Sequence, residues 1–269
     1  SHIVASKSLY GGSHNLLEYT LPRLGIKTTF VDFRKPKQVK SAIQKNTHLL
    51  FGETLGNPGL DVMNIEMISD IAHKNNIPLL VDSTFTTPYL MRPFDFGADI
   101  VFHSATKFLS GHGVVIGGLL VDSGKFDWNS NKKFKTLNEP YEGFHNMNFV
   151  DEFGPAAFIN RARKEGARDF GACMSPHTAF LILQGLETLS LRMEKHIANT
   201  REIVNFLNEH DKVKSVSYPE LKNHPDHKLA SKILPRGSGA VFTFEIEGGY
   251  SAGKKFIESL NIFSHLANV

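Results

Sequence analysis

Lys107 stands directly behind the run His103-Ser104-Ala105-Thr106, where a lysine can do chemistry that a surface lysine does not. Most lysines are solvated, but one in a desolvated pocket loses proton affinity and becomes a nucleophile toward carbonyl carbon. Ser104 and Thr106 are hydroxyls of the kind that donate to phosphate, or else turn formers. Asp82 closes the apolar run Leu79-Leu80-Val81. It reads as a helix N-cap, as a metal ligand, or as a carboxylate buried beside a heteroaromatic ring nitrogen whose pKa its charge would raise. Tyr10, in Ser8-Leu9-Tyr10-Gly11-Gly12, is either loop packing or a ring available to stack on a planar ligand. Asn57, in Gly56-Asn57-Pro58-Gly59, is either a turn residue or an amide aimed at a ligand oxygen.

These residues follow short apolar runs, and the runs are what must position them. Strands are expected at 2–5, 27–32, 48–54, 78–83, 100–105 and 116–121, without strict alternation, as suits strands buried on both faces of a parallel sheet. A helix is expected over 64–75, with Asn64 as N-cap and Ile65, Ile68, Ile71 and Ala72 in one stripe. Alternating strands and helices with short connections predict a doubly wound α/β domain. Ligands of such sheets sit outside the carboxyl ends of the strands, so the tips after 54, 83 and 105 are expected to face one pocket. Residues 123–153 are polar and aromatic and too long for a routine connection, which predicts a functional loop or a subunit contact. Ser175-Pro176 opens a long helical region with Met193, Ile197, Val204 and Leu207 on one face. Strands at 213–218 and 240–246 and a helix at 251–260 complete a smaller α+β domain.

Composition narrows the function classes. A net charge of +3 in 269 residues gives no argument for nucleic acid or a membrane as partner. No apolar run approaches the roughly 20 residues of a membrane span. Cys173 is the single cysteine, so no intrachain disulfide can form, and a reducing cytosol fits best. Gly111-His112-Gly113 with Gly117-Gly118 does not complete a dinucleotide fingerprint, no Walker A sequence occurs, and His103 and His112 lack a metal-ligand pattern.

Taken together, the stretches Ser8–Gly12, Glu53-Thr54 with Asn57-Pro58, Val81–Phe85 with Thr87–Leu90, and Gly97–Val101 leading into His103–Lys107 resemble the cystathionine γ-synthase family of pyridoxal 5′-phosphate (PLP) enzymes of Cys/Met metabolism. The resemblance covers essentially the whole chain. It implies fold type I, α/β with a mainly parallel, seven-stranded-type sheet, divided into a PLP-binding large domain (1–189) and a small α+β domain (190–269). It implies Lys107 as the Schiff-base lysine and, with Tyr10, the catalytic pair. Asp82 would be the pyridinium partner, Tyr10 the stacking ring, and Ser104 and Thr106 the phosphate ligands. Asn57 would lie near the cofactor oxygen and Thr84 near the ring. Gly111–Gly113 with Ile116–Gly118, Gly124–Trp128, Phe153–Ile159 and Leu183–Leu189 resemble the sulfhydrylase branch. That branch implies γ-replacement on an amino-acid substrate, with γ-synthase or γ-lyase activity as alternatives. The family also implies a homodimer or homotetramer with shared sites. The first strand opens the chain without an initiator Met, and Val269 ends it without a tail. Family members carry further segments at both ends, including a substrate-clamping arginine, so both termini are expected to be missing. A poorly active or catalytically incomplete fragment is the expected behaviour of the chain alone.

Overall fold

A computed structural model describes residues 1–266. Six strands build its main sheet: β1 (His2–Ser6), β2 (Lys27–Val31), β3 (Thr47–Glu53), β4 (Leu79–Asp82), β5 (Ile100–Ser104) and β6 (Gly118–Asp122). Their order is β2-β1-β3-β4-β5-β6, and every pairing is parallel except the antiparallel edge pair β5–β6. Among the described residues the sheet thus has six strands where the family type has seven. β1 is buried at all five positions, which is why its middle, Ile3-Val4-Ala5, is apolar without alternation. From β1 the chain goes to one side for β2 and to the other for β3. The reversal opens a crevice at the carboxyl ends of the central strands.

The helix expected at 64–75 forms as Ile65–His73. Asn64 caps it, its side-chain oxygen accepting from the Met67 N–H at 3.1 Å. Ile65, Ile68, Ile71 and Ala72 are buried against Leu50, Leu79 and Val81, and each large side chain contributes roughly 1.5–3 kcal/mol of apolar burial. This packing fixes the back of the sheet and leaves its carboxyl edge for the site.

The helical region after Ser175 is two helices, Pro176–Glu187 and Leu189–Asn208, broken at Thr188. Leu189, Met193 and Ile197 of the second helix pack on Leu90, Ala105 and Leu109, while Val204 packs on Tyr218 and Val216. One helix therefore touches both the main sheet's layer and a two-stranded antiparallel sheet, β7 (Val213–Ser217) with β8 (Thr243–Ile246). The strand expected at 240–246 begins only at Thr243, which pairs with Ser217 where β7 ends; before it, Val241 and Phe242 pack against the small core and Tyr218 donates to the Gly239 carbonyl at 2.9 Å. A helix at Gly249–Glu258 follows the left-handed turn at Gly248. The expected small domain runs to 269, of which residues 267–269 lie outside those described.

Residues 123–153 are built into the body of the protein. Trp128, Phe134, Leu137 and Phe149 are buried in a cluster with Ile100 of β5, and the Arg161 guanidinium lies 4.0 Å from the Tyr141 ring centre. No helix among the described residues is long and apolar enough to cross a membrane.

Candidate active site

The tips of β1, β3, β4 and β5 converge on a cavity of about 250 Å³. Tyr10, Asn57, Asp82, Thr84, Ser104 and Lys107 all line it, so six of the seven residues singled out from the sequence meet in one place. Thr106 does not line it. Its hydroxyl accepts from the Gly117 N–H at 3.0 Å and lies 3.3 Å from the Gly117 carbonyl, tying the Lys107 turn to the approach of β6.

Lys107 projects from a π-type turn, Ala105–Leu109, that starts where β5 ends, and its own backbone leaves helical geometry (φ −90°, ψ −125°). Ala105 and Leu109 are buried on either side of it and anchor the turn. Arg192 secures the turn from the Leu189–Asn208 helix, donating to the Phe108 carbonyl at 2.8 Å and to the Gly185 carbonyl at 2.7 Å. Gly185 lies so close beneath that a Cβ there would collide with the Ser110 and Leu109 carbonyl oxygens. The lysine is thus mounted on a turn clamped from two helices.

Asp82 is 8% exposed. Its Oδ1 accepts from the Thr84 N–H at 2.8 Å and the Thr84 hydroxyl at 2.5 Å, and that hydroxyl in turn accepts from the Ser104 N–H at 2.9 Å. Thr84 therefore orients the carboxylate and links it to the end of β5. Burial raises the Asp82 pKa, opposed by the two Thr84 hydrogen bonds. Behind it His103 is buried with Nδ1 3.1 Å from the Ser83 carbonyl, and burial lowers its pKa, as for a satisfied core histidine.

Tyr10 ends the turn after β1, and its ring lies over Gly12, where an added Cβ would come within 2.5 Å of the ring. Only glycine lets the ring take that position. The Tyr10 N–H donates to Glu53 Oε1 at 2.7 Å. Glu53 lines the cavity and sits in register with Asp82 across β3 and β4. Burial, and after it the Asp82 charge, pushes the Glu53 carboxyl up to about 8, while N–H groups of Tyr10 and Asn57 oppose the rise. Glu53 lies within the sequence motif, which by itself assigns it no role. The signal was there: like Asp82, it is an acid that ends a buried strand. Arg192 carried no comparable signal, since its targets are backbone carbonyls far away in the chain.

An amine, a buried carboxylate, an aromatic ring, hydroxyls and an amide around one cavity at the carboxyl edge of a mainly parallel sheet are the kind of lining that PLP enzymes of fold type I present to their cofactor. The donor set suits the cofactor: Lys107 for its aldehyde, Asp82 for its ring nitrogen, Tyr10 for its face, Ser104 for its phosphate. The comparisons agree. The family model described as "Cys/Met metabolism PLP-dependent enzyme" matches residues 1–269, and the chain belongs to that family. It is 48% identical over 270 residues to a homocysteine synthase of Schizosaccharomyces pombe, covering 100% of this chain and 63% of that protein. An O-acetyl-L-homoserine sulfhydrylase of Leptospira meyeri is 47% identical over 276 residues, 99% of this chain and 62% of its own length. Among solved structures, one described as an O-acetylhomoserine (thiol)-lyase of Campylobacter jejuni with N′-pyridoxyl-lysine-5′-monophosphate superposes with a TM-score of 0.96 at 33% identity, covering 100% of this chain and 66% of that one. An O-acetylhomoserine sulfhydrylase of Wolinella succinogenes gives a TM-score of 0.84 at 36% identity, covering 97% and 72%. The chain spans less than two thirds of the length of these curated relatives.

Proposed function

We propose that the protein catalyses PLP-dependent γ-replacement, converting O-acetyl-L-homoserine and sulfide, or methanethiol, to L-homocysteine, or methionine, and acetate. The observation that carries this reading is the convergence of Lys107, Asp82, Tyr10, Asn57 and Ser104 on one cavity. The names of relatives 47–48% identical support the choice of substrate.

Bound there, the cofactor supplies an aldehyde for an amine and a conjugated ring that takes up the electrons left when the substrate's Cα loses its proton. Lys107 holds that group through Nζ. When not engaged by the cofactor, Lys107 Nζ would serve as the base at the substrate's Cα and would carry the proton onward, roles that one mobile amine can fill in turn. Asp82 keeps the ring nitrogen protonated by its charge, in an orientation set by Thr84. Tyr10 holds the ring by stacking, and Asn57 donates to the cofactor's phenolic oxygen or the substrate carboxylate. Ser104, and Thr106 once its hydroxyl turns from Gly117, donate to the phosphate.

Among the described residues, the cavity lining brings one cation, Lys107, against the carboxyls of Asp82 and Glu53. Further positive charge for a phosphate and a substrate carboxylate has to come from elsewhere, which favours sites shared between subunits of a homodimer or homotetramer. A cytoplasmic location and a division into domains at 1–189 and 190–269 belong to the same reading. Product analysis on the full-length protein tests it. With O-acetyl-L-homoserine, sulfide should give homocysteine faster than cysteine gives cystathionine. Predominant cystathionine, or an α-keto acid formed without any nucleophile, would overturn the assignment in favour of a γ-synthase or γ-lyase.

A further inference from the structure

Glu53 lies in the wall between two cavities. On one side is the cavity that Lys107 and Asp82 line, and on the other is a small one of about 20 Å³ lined by Ser6, Ser8, Asp32, Arg34 and Asp61. The small space suits a single water. Glu53 is 8% exposed, and its Oε1 accepts from the Tyr10 N–H at 2.7 Å. The Asn57 N–H donates to the same carboxyl. One side chain thereby ties the two turns that carry the stacking ring and the amide to the end of β3.

Its electrostatic surroundings are unfavourable to a second charge. Asp82 faces it from β4, and Asp32 and Asp61 face it from the small cavity. The nearby cations are engaged by other carboxyls: Arg34 is within 4 Å of Asp32, Asp61 and Asp226 (3.5, 3.2 and 3.7 Å), Lys7 and Lys35 pair with Asp32 (3.2 and 3.9 Å), and Lys107 opens onto the other cavity. Two carboxyls side by side in a buried site do not both ionise. Each of the two carboxyls accepts from two donors, but Glu53 also faces Asp32 and Asp61 across the small cavity, which Asp82 does not line, so Asp82 is the one that holds the charge.

We propose that Glu53 is a positioning residue that works as a protonated carboxyl, bracing the Tyr10 and Asn57 turns while leaving Asp82 the single negative charge beside the cofactor's ring nitrogen. The inference rests on the PLP reading and deepens it. A neutral acid at this place accepts from the two backbone N–H groups and adds no charge to compete with Asp82 for the ring proton.

The test compares full-length wild type with Glu53→Gln and Glu53→Ala. Three measurements are needed: PLP affinity, the induced circular dichroism of the bound cofactor, and the infrared difference between wild type and Glu53→Gln at pH 7. Glu53→Ala strands two buried N–H groups and should weaken PLP binding about tenfold or more and reduce the induced dichroism. Glu53→Gln keeps an acceptor of the same shape and should restore most of both. The infrared difference should show loss of a carboxylic-acid C=O band. Loss of a carboxylate band instead, or Glu53→Gln behaving as poorly as Glu53→Ala, would overturn the proposal. If Glu53→Ala does not fold, the infrared difference and the dichroism of Glu53→Gln decide it. Failure of wild type itself to bind PLP would sink the cofactor reading, a separate outcome.

Discussion

Asp82 depends on Thr84 for its aim. The Thr84 N–H and hydroxyl both end on Oδ1, and the hydroxyl is held by the Ser104 N–H, so the carboxylate cannot rotate without breaking a chain of three hydrogen bonds. Hydrogen bonds to a charged group contribute about 1.5–3 kcal/mol. Thr84→Val should therefore lower kcat/KM roughly 10- to 100-fold, and Asp82→Asn, which removes the charge itself, should lower it further. Steady-state kinetics on the full-length enzyme would check the ranking, and a Thr84→Val enzyme as active as wild type would contradict it. Glu53 makes a different prediction, for stability. Its carboxyl is pushed up to about 8 in the folded chain, above its ordinary value of 4.5. It therefore binds a proton more tightly folded than unfolded. Its contribution to stability is fully present below its unfolded pKa and is lost as pH rises through about 8. Asp82, also raised, adds a loss of the same sign. The Tm of the cofactor-free protein should fall as pH rises from 5 toward 9, and Glu53→Gln should flatten part of that fall. That Lys107, Asp82, Tyr10 and Asn57 would meet at one cavity was legible because each stands at or within four residues of the end of a strand of the main sheet. Thr106 was not. Whether its hydroxyl meets a ligand or Gly117 depends on a backbone eleven residues away, which spacing does not reveal.

At the scale of elements, the turn that bears Lys107 is held by the close approach of the Pro176–Glu187 helix. Gly185 permits that approach, since a side chain there would strike the carbonyls of Ser110 and Leu109, and backbone atoms yield less readily than side chains. Gly185→Ala should cost about 1–3 kcal/mol of overpacking. Because the strain falls beside Lys107, it should also weaken PLP binding. Urea unfolding and cofactor titration would measure the two effects, and a stable variant with unchanged affinity would contradict the clamp. The strands and the Ile65–His73 helix could be read from the sequence because apolar spacing and an N-cap state them locally. The break at Thr188 could not, since both flanking helices carry helix-compatible residues and the interruption shows only in its backbone angles. Residues 123–153 read as a functional loop or a subunit contact because the stretch is polar, aromatic-bearing and too long for a routine connection. In the fold those rings find one another around Trp128 and Phe149, and Arg161 completes the cluster from beyond the stretch.

For the molecule as a whole, the Leu189–Asn208 helix joins the layers. Its first turns support the Lys107 turn through Leu189, Arg192 and Met193, and Val204 further along packs in the small core with Tyr218. The site therefore reports on the packing of both sheets, and displacement of this helix reaches Lys107 through the Phe108 carbonyl. The central claim is that this clamped lysine holds the cofactor. Borohydride reduction of the full-length holoprotein, followed by peptide mapping, tests it most directly. The account predicts a single pyridoxyl label, on the peptide containing Lys107; a label on any other lysine, with Lys107 unmodified, would contradict it.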